Sequence, residues 1–220
     1  MAEEPYQEQQ HRLPQQARSR ERFNRILDAA AELFAEIGYE SATTDEIAAR
    51  ANTSVGGLYR FFPNKLAVFL ALVERYLNQL KALFATLHTD ETTQLPLDAY
   101  ISQVIDAFDR FVTANPAFRT VFVQSRLVST EFLAMDTAFN QEIAQQLAAF
   151  LVARNPSLEQ SQRDLLATVS VEVASALEIL SLTRDSNFQH QVLTEAKKLL
   201  ISYLRQYFPP NHPVRPNQDV

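Results

Sequence analysis

Residues 43–65 read TTDEIAARANTSVGGLYRFFPNK, and this stretch decides which fold the sequence predicts. Thr43 and Glu46 have the spacing of a capping box, in which each side chain bonds the backbone N–H of the other residue. A short helix is therefore predicted to begin here and to run through Ala51.

A tight turn and another short helix follow. The polar run at 52–54 breaks the first short helix, and Ser54 is placed to cap a helix over residues 55–61. Pro63 and Asn64 end that helix and open a long one, in which apolar residues recur every three or four positions.

One more helix is predicted before this stretch. Apolar residues recur at helical spacing from Phe23 to Ile37, and Gly38 follows as a natural C-terminal stop. Three helices, the last two joined by a tight turn, form a candidate helix-turn-helix. Its final helix would enter the major groove of DNA.

Three residues of the stretch are energetically unfavourable at their positions in a helix. Gly56 and Gly57 lie inside the third helix, where each costs about 1 kcal/mol relative to alanine. The close approach of another backbone, such as that of DNA, explains them, and so does a strained turn. Lys65 lies in the first turn of the fourth helix, where the helix dipole disfavours a cation. A bound phosphate explains this lysine, and so does simple solvation.

The rest of the chain also has a helical pattern. Only three glycines occur in 220 residues, so the predicted fold class is all-α, with about nine helices. The fourth helix reaches Leu87, a loop covers 89–96, and five further helices lie at about 100–112, 117–127, 131–153, 158–183 and 188–207. We expect a disordered tail over residues 1–17 and a loose proline-rich tail over 209–220.

The charge is unevenly distributed. The formal net charge is −6, yet residues 11–25 contain five arginines and one glutamate. A basic arm on an acidic body is compatible with DNA binding, although arginines in a tail are often only solvated. No cysteine occurs, which excludes disulfides and thiolate chemistry. Because no signal-peptide pattern or long apolar span is present, we expect a cytoplasmic protein without a membrane contact.

Residues 20–70 resemble the DNA-binding signature of the TetR family of bacterial repressors. The resemblance is carried by the stretch at 43–65 and by the preceding segments ILDAA at 26–30 and FAEIGY at 34–39. Two positions depart from the family pattern. The turn at 52–54 is Asn-Thr-Ser where many members have Gly-Val-Ser, and Gly57 stands where Thr, Ser or Ala is more common.

The resemblance implies a set of DNA contacts. Thr44, Tyr59 and Lys65 are expected to bind phosphates, and Arg60 is expected to read guanine through two hydrogen bonds. The arm arginines would add backbone or minor-groove contacts. The whole implied DNA-binding set is Arg18, Arg20, Thr43, Thr44, Ser54, Val55, Gly56, Gly57, Tyr59, Arg60 and Lys65.

The resemblance also implies a DNA-binding domain over 18–66 and an effector-binding and dimerisation domain over 67–208. The eighth helix is apolar nearly all round, which favours a two-fold partner. The expected dimer interface comprises Leu166, Val169, Val173, Leu177, Leu180, Leu200 and Leu204. The expected effector pocket comprises Phe108, Phe111, Phe122, Phe139 and Glu172, and this glutamate would lie either in the pocket or in the dimer seam.

These features predict a ligand-responsive transcriptional regulator. We expect a repressor that binds a palindromic operator as a homodimer and is released by a small-molecule effector. An enzyme is disfavoured because no Gly-x-Ser-x-Gly, phosphate-binding loop or cysteine nucleophile occurs, and the four histidines lack metal-site spacing. We therefore expect no catalytic residue, cofactor or metal. A helical adaptor or scaffold that does not bind DNA is the alternative, but it leaves the glycine pair, the capped helices and Lys65 unexplained.

Overall fold

The computed structural model describes residues 16–208, except Ser129 and the side chains of residues 124–130. The predicted C-terminal tail, and the predicted N-terminal tail up to residue 15, lie outside the described residues. The described residues form ten α-helices and no strand: α1 Ala17–Ser41, α2 Thr44–Arg50, α3 Val55–Tyr59, α4 Lys65–Ala85, α5 Asp90–Thr93, α6 Leu97–Ala114, α7 Pro116–Val128, α8 Thr130–Arg154, α9 Gln160–Ser181 and α10 Ser186–Leu204.

The all-helical prediction is confirmed, and the predicted number of nine helices is one too few. The additional helix is α5, which lies in the segment 89–96, where the sequence predicts a loop. Thr92 N–H donates to Thr89 Oγ1 at 3.3 Å, and Thr89 N–H donates to Thr92 Oγ1 at 3.0 Å. A reciprocal cap of this kind starts a single helical turn that is too short to show hydrophobic periodicity.

Two helix ends differ from the predicted ones by a few residues. The third helix ends at Tyr59, two residues earlier than predicted. Gly38 has a positive φ of 80° that favours glycine, with ψ 164°, and α1 resumes beyond it and ends at Ser41. The break at Gly38 is therefore a kink within α1.

The chain divides into two compact units. The first contains the described residues up to Leu77 together with Asn115–Leu133, and the second contains Asn78–Ala114 together with Ala134 onward. The helix α4 contributes residues to both units. The functional boundary predicted between residues 66 and 67 stays a prediction.

Aromatic packing holds the first unit together. Phe23 of α1 stacks on Phe62, with ring centres 4.9 Å apart, and Phe34 meets Phe69 of α4 at 5.8 Å. The helix α7 packs against α1, so a segment far along the sequence covers the first helix. This packing orients α1 and α4 around the short helices α2 and α3.

Polar contacts join helices of the second unit. Gln189 of α10 donates to Asp109 of α6 at 2.7 Å, and Lys197 of α10 pairs with Asp106 of α6 at 2.5 Å. The helix α10 also packs along α9. The resulting arrangement of α6, α9 and α10 surrounds part of the cavity described below.

Candidate functional site

Side-chain caps hold the turn between α2 and α3 in shape. Glu46 N–H donates to Thr43 Oγ1 at 3.2 Å, and Thr43 N–H donates to Glu46 Oε2 at 2.9 Å, so the predicted capping box is present. The Thr43 hydroxyl, at 2.8 Å, and the Thr43 N–H both donate to Glu46 Oε2 and hold the pKa of that carboxyl group below its ordinary value. Ser54 Oγ accepts from Gly57 N–H at 3.0 Å and caps α3. Both hydroxyls therefore have local structural partners.

The turn between these helices contains Asn52 with φ 49°, in the left-handed region. Asparagine tolerates this backbone better than most other non-glycine residues, because its short polar side chain bonds locally. The departure of residues 52–54 from the family pattern is thus compatible with a tight turn.

Two residues expected to bind phosphate lie side by side. The hydroxyl oxygens of Thr44 and Tyr59 are 3.1 Å apart, although the residues are fifteen positions apart in sequence. The Tyr59 side chain is 48% exposed, and Thr44 is partly exposed. Two neighbouring neutral hydroxyls at the surface form a hydrogen-bonding site that a phosphate oxygen can accept from.

The two glycines of α3 differ in their surroundings. A Cβ atom added at Gly57 would lie 2.7 Å from Thr53 Oγ1 and 3.1 Å from Ser54 Oγ. The close approach at Gly57 therefore comes from the turn itself. At Gly56 nothing lies within 4 Å of an added Cβ, and the residue is exposed. Only Gly56 leaves an open surface that another molecule can approach.

Lys65 has hydrogen-bond partners within the chain, and its expected role at a phosphate stays a prediction. Its Nζ atom donates to the backbone carbonyls of Tyr39, Glu40 and Ala42 at 2.7, 3.0 and 2.9 Å. An ammonium has three N–H donors, so all of them are used within the chain. The cation at the start of α4 meets the carbonyl-rich end of α1, which resolves the unfavourable helix dipole without a phosphate.

The remaining expected DNA-binding residues lie at or near the surface. Arg18 and Arg20 are exposed in the first turn of α1, Arg60 is exposed directly after α3, and Val55 is partly exposed at its start. Their roles at DNA stay predictions.

A cavity lies within the second unit. Its volume is about 80 Å³, it is partly open to solvent, and its lining is mostly apolar. A volume of this size holds several water molecules or a small ligand group, and a larger ligand would extend through the open side. Residues from α4, α6, α8, α9 and α10 line it, among them Phe84, Tyr100, Phe139, Leu147, Glu178 and Leu200.

Only one of the five expected pocket residues, Phe139, lines this cavity. Phe108 is buried elsewhere on α6, Phe111 is only partly buried, and neither reaches the cavity lining. Phe122 belongs to the first unit, where its ring stacks on Phe118 at 4.1 Å. Helical spacing identifies apolar faces but does not indicate which face meets a void and which meets another helix.

Glu172 is exposed on α9 and accepts from Asn140 Nδ2 at 3.4 Å, outside the lining of this cavity. The cavity contains Glu178 instead. The sequence contains a pattern that indicates Glu178 as a lining residue. Val171, Ala174 and Glu178 follow the spacing i, i+3, i+7 and therefore share one helix face. Glu172 lies on a different face.

Burial raises the pKa of the Glu178 carboxyl to about 8, and no charged group contributes to the shift. The residue as a whole is partly exposed. Burial also lowers the pKa of His88, whose Nε2 lies 3.0 Å from the hydroxyl of Tyr100. Near neutral pH this part of the cavity is therefore uncharged or nearly so.

The expected dimer residues fall into two groups. Leu166, Leu200 and Leu204 are buried within their own chain, at 1%, 4% and 0% exposure, and offer almost no surface to a partner, so their place in an interface stays a prediction. They lie on the inward faces of α9 and α10. The other four residues are partly or fully exposed: Val169, Val173, Leu177 and Leu180.

Two family models match this chain and together cover more than two thirds of it. The model described as "Bacterial regulatory proteins, tetR family" matches residues 26–72, and the model described as "Tetracyclin repressor-like, C-terminal domain" matches residues 96–204. The chain belongs to the TetR family. Membership of the TetR family makes it a DNA-binding transcriptional regulator.

Curated relatives and solved structures agree with the TetR family. The HTH-type transcriptional activator FasR of Mycolicibacterium smegmatis is 28% identical over 173 residues, which cover 76% of this chain and 74% of FasR. The HTH-type transcriptional repressor KstR of Mycobacterium tuberculosis is 38% identical over 63 residues, 29% of each chain. A TetR-family regulator from Streptomyces coelicolor aligns with TM-score 0.58 and 26% identity, over 84% of this chain and 98% of that one.

Two further findings concern other kinds of site. Over the part of the chain that the structure describes, no helix is long and apolar enough to cross a membrane. Across the same residues, no group of three or more His, Asp or Glu side chains is arranged to hold a metal ion.

Proposed function

We propose that this TetR-family regulator is a repressor that binds a palindromic operator as a homodimer and leaves it when a small molecule occupies the cavity. The observation that carries the DNA-binding surface is the pair of hydroxyls of Thr44 and Tyr59 beside the open surface at Gly56. Arg60 follows the same helix and supplies a guanidinium for base readout.

The dimer is supported by an exposed apolar surface on α9 and α10. Leu180 and Leu199 are 44% and 48% exposed, and a shallow groove between the two helices is lined by Val169, Val173 and Tyr203. Apolar side chains grouped in this way favour burial against a second copy. A dimer would also place two α3 helices on two half-sites.

Effector release is supported by the course of α4. This helix begins with Lys65 bound to the end of α1, and near its other end it carries Phe84 in the cavity lining. In this proposal, a ligand that contacts Phe84 displaces α4, the helix that begins at Lys65. Release then requires only that ligand and DNA prefer different positions of the helix.

The proposal also includes the direction of regulation, repression as opposed to activation. The relatives include a protein named as an activator and one named as a repressor, and we propose repression for this chain. A reporter gene placed behind the selected operator would be silenced by the protein if this is right. Increased expression in the same assay would contradict repression and leave DNA binding untouched.

The proposal is tested by selecting bound DNA from a random pool with the full chain. We expect a pseudo-palindromic motif that is lost when Tyr59 and Arg60 are both changed to alanine. Arg110→Ala removes an exposed arginine of α6, in the second unit, and serves as the charge-matched control that keeps the motif. A folded, dimeric protein that enriches no motif would contradict the proposal.

A further inference from the structure

The titratable side chains that line the cavity include one carboxyl group and no lysine or arginine. Glu178, His88 and Tyr100 are its titratable residues; α8 and α10 contribute none, and no lysine or arginine belongs to the described lining. With His88 neutral, the cavity offers one carboxyl group and no basic side chain. An anionic ligand would therefore find no counter-charge here and would face a carboxyl group.

Several polar groups in the lining lack partners. Ser170 is 5% exposed, and its Oγ has no hydrogen-bond partner in the described chain. The same holds for His88 Nδ1. The Glu178 side chain likewise makes no hydrogen bond or ion pair with any described residue. Buried polar groups are normally paired, so the two buried unpaired atoms, together with the unpaired Glu178 carboxyl group in the same lining, indicate a place for a polar partner.

We propose that the cavity binds a cationic amphiphile, a molecule with a protonated amine that pairs with the Glu178 carboxylate and an apolar body that packs among the aromatic and aliphatic lining. The inference rests on the proposed role of the cavity as the effector site. Ser170 Oγ is a further acceptor for an ammonium N–H, and the rings of Phe84, Tyr100 and Phe139 provide π systems that attract cations.

The proton balance of binding is simple. The carboxyl group of free Glu178 is mostly protonated at neutral pH, since burial raises its pKa to about 8. When the ammonium enters, the carboxyl group releases its proton to the buffer and the resulting carboxylate forms the ion pair. A ligand with a carboxylate would instead bring a second acid beside Glu178, which opposes its ionisation.

The test uses three probes with the same alkyl chain: decylamine as the cation, 1-decanol as the neutral compound and decanoate as the anion. Each is titrated calorimetrically into the full chain without DNA, the two ionic probes below the concentration at which they form micelles and 1-decanol below its solubility limit. We expect decylamine to bind at least about tenfold more tightly than 1-decanol, as close charge pairs in binding sites do, and decanoate to bind most weakly.

Two variants make the test specific. Glu178→Gln keeps the size of the side chain and is expected to remove the preference for decylamine while 1-decanol binds as before. Glu172→Gln, on the same helix but outside the cavity lining, is the matched control and keeps the preference. In buffers of different ionisation heat, decylamine binding to the unaltered protein should release close to one proton, and binding to Glu178→Gln none.

The outcomes separate this inference from the proposed function. Equal affinity for the three probes, binding of none of them, or a preference that survives Glu178→Gln would overturn the inference. Operator binding is measured on the same preparations. If the cation preference is found and no operator is bound, the ligand class stands and the proposed function fails.

Discussion

The Nζ atom of Lys65 lies 2.7 Å from the carbonyl oxygen of Tyr39 and 4.5 Å from the centre of its ring. The ammonium therefore closes the end of α1 through a hydrogen bond and a cation–π contact with the same residue. A lysine that only holds the end of α1 should affect the stability of the protein when it is removed. A lysine that binds a DNA phosphate should affect the salt dependence of DNA binding instead.

We expect Lys65→Met to lower the free energy of unfolding by about 1–3 kcal/mol, because three carbonyls lose a charged donor. DNA affinity should fall at every salt concentration, while the slope of log affinity against log salt stays unchanged. Arg18→Met provides the comparison, because loss of one phosphate contact reduces that slope by about 1. A reduced slope for Lys65→Met with unchanged stability would contradict the structural role.

The two glycines of α3 should respond differently to alanine. Gly56→Ala meets no neighbour and should stabilise the protein by up to about 1 kcal/mol through helix propensity, while it weakens DNA binding by obstructing close approach. Gly57→Ala should destabilise, because its Cβ would lie 2.7 Å from Thr53 Oγ1. Chemical denaturation and operator titration of both variants test this. Tighter operator binding by Gly56→Ala would refute the close approach.

The hydroxyl pair can be tested without disturbing the fold. Tyr59→Phe and Thr44→Val each remove one hydroxyl and should lower operator affinity about three- to tenfold, which corresponds to one neutral hydrogen bond. Phosphates carry no base information, so the order of preference among operator variants should not change. Competition binding with a set of mutated operators measures both quantities. A changed order of preference would mean that the hydroxyls contact bases.

The stability of the protein should depend on pH through Glu178. Its pKa is raised from 4.5 to about 8 in the folded chain, so the unfolded chain releases this proton first as pH rises. The contribution of the carboxyl group to the free energy of unfolding is therefore complete below about pH 4.5, falls through the window up to about 8 and is level above it.

Glu178→Gln removes this dependence. The variant should match the unaltered protein near pH 4.5 and exceed its free energy of unfolding near pH 8, as measured by denaturant titration at several pH values. The lowered pKa of His88 makes the free energy of unfolding rise with pH in the acid range. Both proteins contain His88, so the difference between their free energies of unfolding at each pH does not include this contribution. Parallel curves for the two proteins would show that the carboxyl group is not buried.

The dimer surface is tested with one exposed residue on each of two helices. Leu180→Glu places a charge on the apolar surface of α9 and should shift the chain to monomers in sedimentation velocity, with loss of operator binding. Val152→Glu changes an exposed apolar residue of α8, outside the expected interface, and should leave the assembly unchanged. A Leu180→Glu protein that sediments like the unaltered one would exclude this surface.

The sequence by itself determined the helices and their order. Capping pairs such as Thr43 with Glu46 act within one helical turn, so they can be recognised from spacing alone. The break at Gly38 likewise needs only a positive φ that glycine adopts without cost, although it is a kink within α1 and not the predicted stop. Long periodic segments identified the remaining helices, and only the single turn of α5 was too short for this signal.

The tertiary structure alone decided which residues meet across long sequence separations. Lys65 donates to carbonyls at the end of α1, and α7 belongs to the first unit. Both findings depend on how helices pack, which local spacing does not indicate. Glu172 and Glu178 are two acids on the same apolar helix, yet Glu178 lines the cavity and Glu172 is exposed. Periodicity defines the faces of a helix, and only packing assigns each face to core, cavity or surface.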